Sequence, residues 1–127
     1  MKSSKRVSLH FSLLSILAAG SMLFNQVSVA KDVSTQEAWN IISTGTTIID
    51  VRTAEEFAAG HIEGAINIPF EQIVNGVEKI GLKNDASIVL YCRSGRRSGL
   101  ADEALIQAGF THSVNAGGYE ALATTKP

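Results

Sequence analysis

Continuous runs of β-branched or apolar residues alternate along this chain with segments that have the apolar spacing of helices, and this alternation restricts the possible folds most. Residues 46–51, which are mostly β-branched, and residues 87–91, which are mostly apolar, are typical of strands buried on both faces of a sheet. Residues 34–45 and 98–108 have apolar side chains three and four positions apart. Strands that alternate with helices predict an α/β fold, in which a mostly parallel central sheet is flanked by helices in a three-layer sandwich.

Sequence signals mark where several of these elements begin and end. Ser34 with Glu37, and Thr53 with Glu56, fit the capping box that satisfies backbone amides at a helix start. Gly60 should end the second of these helices. The other predicted elements are a strand over residues 65–68, a helix over 70–80, a strand over 111–114 and a C-terminal helical turn, with Leu100, Ala104 and Leu105 facing inwards on helix 98–108.

The first thirty residues have the layout of a secretory signal peptide. Three basic residues precede the mostly apolar residues 7–24, and the small residues Ser28 and Ala30 stand three and one before a possible cut. We therefore expect residues 1–30 to be removed, leaving a domain of residues 31–127 in the periplasm or outside the cell. The alternative is an uncleaved anchor, because residues 7–24 approach the length of a transmembrane helix.

Removal of that segment changes the charge of the chain. Residues 31–127 carry eight basic and 12 acidic residues, a net charge of −4, which makes them a poor binder of nucleic acid. They also contain no further candidate for membrane insertion. No residues have the spacing of metal ligands and no glycine-rich nucleotide loop occurs, so we expect neither a metal nor another cofactor.

Cys92, the only cysteine, lies where the predicted strand 87–91 ends and a helix begins. Free backbone amides and the positive end of the helix dipole favour negative charge at such a position. Gly95 permits a turn with positive φ, and three arginines nearby add fixed positive charge. We predict a loop whose amides point inward at an ionised thiol. In an exported chain a lone cysteine either pairs with another chain or remains a free thiol.

Asp50 and Arg52 follow the other buried strand. The carboxyl ends of parallel strands share one edge of a sheet, where ligands bind in such folds, so these residues should lie near Cys92. Arg52 is either a site residue or a structural partner of Asp50 or Glu56. No nucleophile stands next to either of the two histidines within residues 31–127, so we expect His61 to take no direct part in chemistry and His112 to lie on the surface.

Four motifs follow one another along residues 50–118. They are Asp50-Val-Arg52 with Glu56-Phe57; Gly60-His61-Ile62 with Gly64-Ala65-Ile66-Asn67-Ile68-Pro69; Tyr91-Cys92-Arg93-Ser94-Gly95-Arg96-Arg97-Ser98; and Asn115-Ala116-Gly117-Gly118. Together, in this order, they resemble the rhodanese family, and most of all its exported single-domain members. The resemblance implies the rhodanese fold and sulfurtransferase chemistry.

The resemblance also implies roles for individual residues. Cys92 would attack the outer sulfur of thiosulfate, release sulfite and carry a persulfide until cyanide or a thiol accepts the sulfur. The loop amides would cradle that sulfur and the arginines would bind the sulfonate end. From their place at the strand end, we expect Asp50 and Arg52 to support the site, with the Asp50 carboxylate accepting loop hydrogen bonds. The loop residues are Arg93, Ser94, Gly95, Arg96, Arg97 and Ser98.

Three other functions stay open on the sequence. A cysteine phosphatase or arsenate reductase uses a Cys-x5-Arg loop, whereas here the spacing from Cys92 to Arg97 is Cys-x4-Arg and Ser98 takes the next position. A rhodanese-like binding module would not need the cysteine. A carrier of sulfane sulfur to a protein partner would use the same residues as the enzyme. We expect a monomer in each case.

Overall fold

The computed structural model describes residues 29–127, so nearly all of the predicted signal peptide lies outside the described residues. No helix in this part of the chain is both long and apolar enough to cross a membrane. The elements in chain order are α1 (Thr35–Ile42), β1 (Thr47–Asp50), α2 (Ala54–Ala59), β2 (Ile66–Asn67), a 3-10 turn (Phe70–Gln72), α3 (Ile73–Lys79), β3 (Ile88–Cys92), α4 (Arg96–Gln107), β4 (Ser113–Gly118) and α5 (Tyr119–Thr124).

The four strands form one parallel sheet in the order β2-β1-β3-β4. The two central strands, β1 and β3, match the two continuous runs predicted as buried strands to within one residue at each end. The N-terminal stub adds a single parallel bridge from Asp32 to Asn115 of β4. The prediction of an α/β fold with a parallel sheet between helices is confirmed.

Two apolar clusters pack on opposite faces of the sheet, and β3 contributes to both. Its residues Ile88, Leu90 and Cys92 belong to the cluster covered by α3 and α4, whereas Val89 and Tyr91 belong to the cluster covered by α1 and α5. Successive side chains of a strand point to opposite faces. A strand covered on both sides therefore has no polar alternation, which explains the uninterrupted apolar run.

The predicted capping signals mark two helix starts, whereas the bounds of two other elements differ from the prediction. The Thr53–Glu56 capping box is complete, and the Ser34 hydroxyl accepts from the amide of Glu37. The predicted helix 70–80 begins instead as a 3-10 turn, after Pro69. The predicted strand 111–114 is also displaced, because β4 continues through the glycines to Gly118.

The predicted inward orientation of Leu100 is wrong. Leu100 is 42% exposed, whereas the buried residues of α4 include Ser98 and Asp102 as well as Ala101 and Leu105. The inward face of α4 thus carries two polar side chains. An apolar pattern alone could not identify that face, because part of it is built from hydrogen-bonding groups.

Candidate active site

The carboxyl ends of the two central strands bring the predicted site residues together. Asp50 at the end of β1 is in register with Tyr91, the residue before Cys92 on β3. After Cys92 the chain turns through Gly95 and enters α4. The proposed nucleophile therefore sits between a sheet edge and the N-terminus of a 12-residue helix, where helix amides favour an anion.

The Cys92 sulfur is surrounded by hydrogen-bond donors. The amide of Gly95 donates to Sγ at 3.0 Å, and the hydroxyl of Ser98 lies 3.3 Å from it. Burial by itself raises the pKa of the Cys92 thiol, but the Ser98 hydroxyl and the amides of Ser98, Ser94 and Gly95 lower it below its ordinary value on balance. Hydrogen bonds, more than the nearby arginines, favour the thiolate.

Glycines allow the loop and the end of β4 to approach closely. Gly95 has φ +92° as the residue before α4, in the left-handed region that other residues resist. A Cβ on Gly118 would lie 2.6 Å from the carbonyl oxygen of Arg93, and one on Gly95 would lie 3.2 Å from the Cα of Gly117. The glycines of the Asn-Ala-Gly-Gly motif therefore form the surface against which the cysteine loop is shaped.

The three loop arginines have different surroundings. The guanidinium of Arg97 forms a two-pronged pair with Glu56, with distances of 2.7 and 3.1 Å. Hydrogen bonding from Arg97, opposed by desolvation and assisted by Thr53, lowers the pKa of Glu56 to about 2. The side chains of Arg93 and Arg96 are exposed. Arg97 thus fastens the loop to α2, which the sequence did not indicate.

Asp50 and Arg52 form a buried ion pair beneath this edge. Both Nε and Nη2 of Arg52 donate to the Asp50 carboxylate, the latter at 2.7 Å, and Nη2 also donates to the carbonyl of Gly60 at 2.6 Å. The Arg52 guanidinium carbon lies 4.4 Å from the ring centroid of Tyr119. Of the partners considered for Arg52, Asp50 is the one it binds, and the hydrogen bond to Asp50 raises the pKa of Arg52.

Asn115 is a site residue that sequence reasoning did not single out. Its Oδ1 accepts from the Ser98 hydroxyl at 2.6 Å and from the amide of Gly117 at 3.0 Å. Its Nδ2 donates to the Gly95 carbonyl at 2.9 Å and to Asp32 Oδ1 at 3.0 Å. Asn115 therefore links β4 to both loop residues that contact the sulfur. The available signal was an amide side chain directly after the predicted strand 111–114, within a motif noted only as part of a family pattern.

The remaining candidate residues lie outside this cluster. His61 stacks on Phe57 with a centroid separation of 3.7 Å, and its Nδ1 lies 2.8 Å from the Phe57 carbonyl. His112 is exposed next to Thr111. Across residues 29–127, no three histidine, cysteine or acidic side chains come together as a metal site would require.

A cavity of about 370 Å³ opens beside the loop. Its lining includes Arg52, Glu56, Arg93, Tyr119 and Glu120. Cationic and anionic groups therefore face the same space, which a small charged molecule could enter. The cavity, the thiol surrounded by donors and the exposed arginines together suit transfer chemistry on a small anion.

Comparison with known proteins agrees with this geometry. The sequence model of the rhodanese-like domain matches residues 34–125. The thiosulfate sulfurtransferase PspE of Escherichia coli is 38% identical over 78 residues, which cover 61% of this chain and 75% of PspE. Thiosulfate sulfurtransferase 16, chloroplastic, of Arabidopsis thaliana is 36% identical over 106 residues, which cover 75% of this chain and 88% of the plant protein.

A solved structure described as a rhodanese with anions from E. coli is 37% identical and superposes with a TM-score of 0.59, covering 61% of this chain and 92% of the other. The relatives indicate a sulfurtransferase activity in general. Since the matched span contains the cysteine loop and all four strands that carry it, the chain belongs to the rhodanese family.

Proposed function

We propose that this protein is a thiosulfate sulfurtransferase that passes sulfane sulfur to cyanide or to a thiol through a persulfide on Cys92. The observation that carries the proposal is the hydrogen-bonding of the Cys92 sulfur. Sγ accepts from the Gly95 amide at 3.0 Å, and its pKa is lowered by donors of the loop despite full burial. A thiolate is the nucleophilic form of cysteine.

In the first step the Cys92 thiolate attacks the outer sulfur of thiosulfate. A bond forms between Sγ and that sulfur while the sulfur–sulfur bond of thiosulfate breaks, and its electron pair leaves with sulfite. The enzyme then carries a persulfide anion. The loop amides that favour the thiolate are suited to stabilising this anion, because backbone donors aimed at one point stabilise charge there.

In the second step an acceptor removes the outer sulfur. Cyanide attacks it, the persulfide bond breaks, its electrons return to Sγ, and thiocyanate leaves. A thiolate acceptor reacts in the same way and leaves as a persulfide. Both steps conserve charge, and neither requires a metal or a redox cofactor.

The loop arginines are proposed to bind the sulfonate end of the donor in two ways. Arg93 and Arg96 have exposed guanidinium groups, and neither forms an ion pair with any residue in the part of the chain that the structure describes. Arg97 is held by Glu56 and would act by its charge and by fixing the loop. The positive charge of these arginines beside the Cys92 loop favours thiosulfate, which carries two negative charges, over donors with less charge.

The alternatives use other features of the loop. A sulfane-sulfur carrier would form the same persulfide and differ only in its acceptor. Phosphatase chemistry is disfavoured because the two-pronged pair of Arg97 with Glu56 commits the guanidinium that would bind a phosphoryl group. A pure binding module would have no use for a buried cysteine with a lowered pKa.

We further propose that the protein acts as a monomer outside the cytoplasm, in the periplasm or after secretion. The support for export is the sequence of residues 1–30, with its basic start, apolar stretch and small residues before Lys31. Recovery of the protein, identified by its intact mass, from the periplasm or the medium tests the compartment. The molecular mass of the native protein in solution tests the monomer.

The function is tested by comparing two reactions with one preparation. We expect thiocyanate to form from thiosulfate and cyanide, and phosphate release from an aryl phosphate to stay at background. Cys92→Ser should abolish thiocyanate formation. Phosphate release without thiocyanate formation, or sulfur transfer that persists in Cys92→Ser, would overturn the proposal.

A further inference from the structure

Asp102 is a buried carboxylate that sulfur transfer does not use. It lies on α4 and is 0% exposed. Its Oδ1 accepts from the Ser113 hydroxyl, and its Oδ2 accepts from the backbone nitrogen of Lys31 at 2.9 Å. One turn before it, Ser98 contacts the Cys92 sulfur. The group therefore connects the helix of the active site with the first described residues of the chain.

This carboxylate has no cationic partner within residues 29–127. Burial raises the pKa of Asp102, against the opposing effect of Ser113 and of the Lys31 amide, and the neighbouring carboxylates Asp32 and Glu103 raise it further. Buried charges in proteins are normally paired, because an unpaired one loses its hydration without compensation. The site thus has the geometry of an ion pair with the cation missing.

We propose that Asp102 is the binding site for the α-ammonium group of Lys31, which forms when the predicted signal peptide is removed. Hydrolysis of the Ala30–Lys31 bond by a leader peptidase consumes one water and leaves a carboxylate on Ala30 and an ammonium group on Lys31. The inference rests on the predicted cleavage and is independent of the sulfur chemistry. Cleavage places the new positive charge on the Lys31 backbone nitrogen, which already donates to Oδ2 of Asp102.

The backbone around Lys31 is already held in position for this pair. The Lys31 carbonyl accepts from the amide of Asn115 at 2.8 Å, and the amide of Val33 donates to the Asn115 carbonyl at 3.0 Å. The Lys31 side chain points to another partner, with Nζ 3.5 Å from Glu37. The α-nitrogen is therefore free to serve Asp102 without competition from the side chain.

Cleavage at any other bond would not give this arrangement. A chain that begins one residue earlier has a neutral amide at Lys31 and its charge on Ala30, one residue removed from the carboxylate. The small residues Ser28 and Ala30 indicate the same cut from the sequence alone. Two independent features, a cleavage pattern and a buried acceptor, thus select Lys31 as the mature N-terminus.

The pair would strengthen the support of the active loop. Asn115, which the Lys31 segment holds through the backbone and through Asp32, is the residue that binds both Ser98 and Gly95. Processing would therefore fix the strand beneath the cysteine loop at the moment when the domain is released from its signal peptide.

The test compares chains that begin at Lys31 and at Ala30, each with Asp102 and with Asp102→Asn. Both described core clusters are built from residues 33–122, so these chains retain the described core. Urea unfolding should show a folding equilibrium constant roughly tenfold larger for the Lys31 chain. Asp102→Asn should remove that difference. Equal stability of the two starts, or a difference that survives Asp102→Asn, would overturn the proposal.

A second measurement holds even if Asp102→Asn fails to fold. The pH dependence of acylation of the terminal amine, followed by peptide mass, should lie at higher pH for the Lys31 chain than for the Ala30 chain, because the carboxylate stabilises the ammonium form. Coincident profiles would contradict the pair. The full chain, expressed with its signal peptide and exported, should have the intact mass of residues 31–127, and any other N-terminus would overturn the proposal.

Discussion

Replacement of Ser98 by alanine should destabilise the ionised form of the Cys92 thiol, because it removes one hydrogen bond to Sγ. The hydroxyl is fully buried and lies 3.3 Å from Sγ. Hydrogen bonds to charged groups contribute about 1.5–3 kcal/mol. The lower end applies here, because the contact is long and the hydroxyl has a single proton that it also offers to Asn115 at 2.6 Å. A loss of about 1.5 kcal/mol corresponds to a roughly tenfold smaller thiolate fraction below the pKa.

The assay is the rate of alkylation by iodoacetamide as a function of pH. Cys92 is the only cysteine, so the reaction reports this thiol alone. We expect the profile of Ser98→Ala to move to higher pH and its sulfur transfer near neutral pH to fall roughly tenfold. Ser113→Ala is the matched control, because it removes a buried hydroxyl that binds Asp102 instead of the sulfur. Superimposed profiles for Ser98→Ala and the unmodified protein would refute the reasoning.

Three further changes test the supports of the loop. The pKa of Glu56 is lowered to about 2 from an ordinary 4.5. Ionised Glu56 therefore contributes its full share to the free energy of unfolding above pH 4.5, and this share is lost as the pH falls through about 2. Glu56→Gln should lower the free energy of urea unfolding by about 1 kcal/mol at pH 7 and by little at pH 2, whereas the control Glu55→Gln should lower it little at either pH. Asn115→Ala removes four side-chain hydrogen bonds and should lower thiocyanate formation at least about tenfold, so an unchanged rate would contradict its positioning role. Gly118→Ala places a Cβ 2.6 Å from the Arg93 carbonyl, and the displaced loop should lose sulfur transfer in the same assay; full activity would show that the close approach is not required.

The fold and the place of the site could be predicted from local patterns. Strands covered on both faces have continuous apolar runs, and the capping residues Thr53 and Glu56 mark a helix start wherever they occur. The rule that parallel strands end at one edge brought Asp50 and Cys92 together. Each of these inferences depends on residues close in sequence or on a general property of parallel sheets.

The contacts within the site could not be predicted, because they join residues far apart in the chain. Glu56 and Arg97 are 41 positions apart, and the capping role of Glu56 gave no indication of a second partner. Asn115 lies 17 positions from Ser98. It belongs to β4, although the predicted strand ended one residue before it. The orientation of Leu100 was predicted wrongly because the inward face of α4 includes the polar residues Ser98 and Asp102. Hydrogen bonds define that face as much as apolar contacts do.

Intact mass after incubation with thiosulfate tests the central claim most directly. If Cys92 carries the transferred sulfur, the protein gains the mass of one sulfur atom and loses it when cyanide is added. The Cys92→Ser variant should show no such gain. A protein that forms thiocyanate without this mass gain, or a gain that persists in Cys92→Ser, would contradict a persulfide on Cys92.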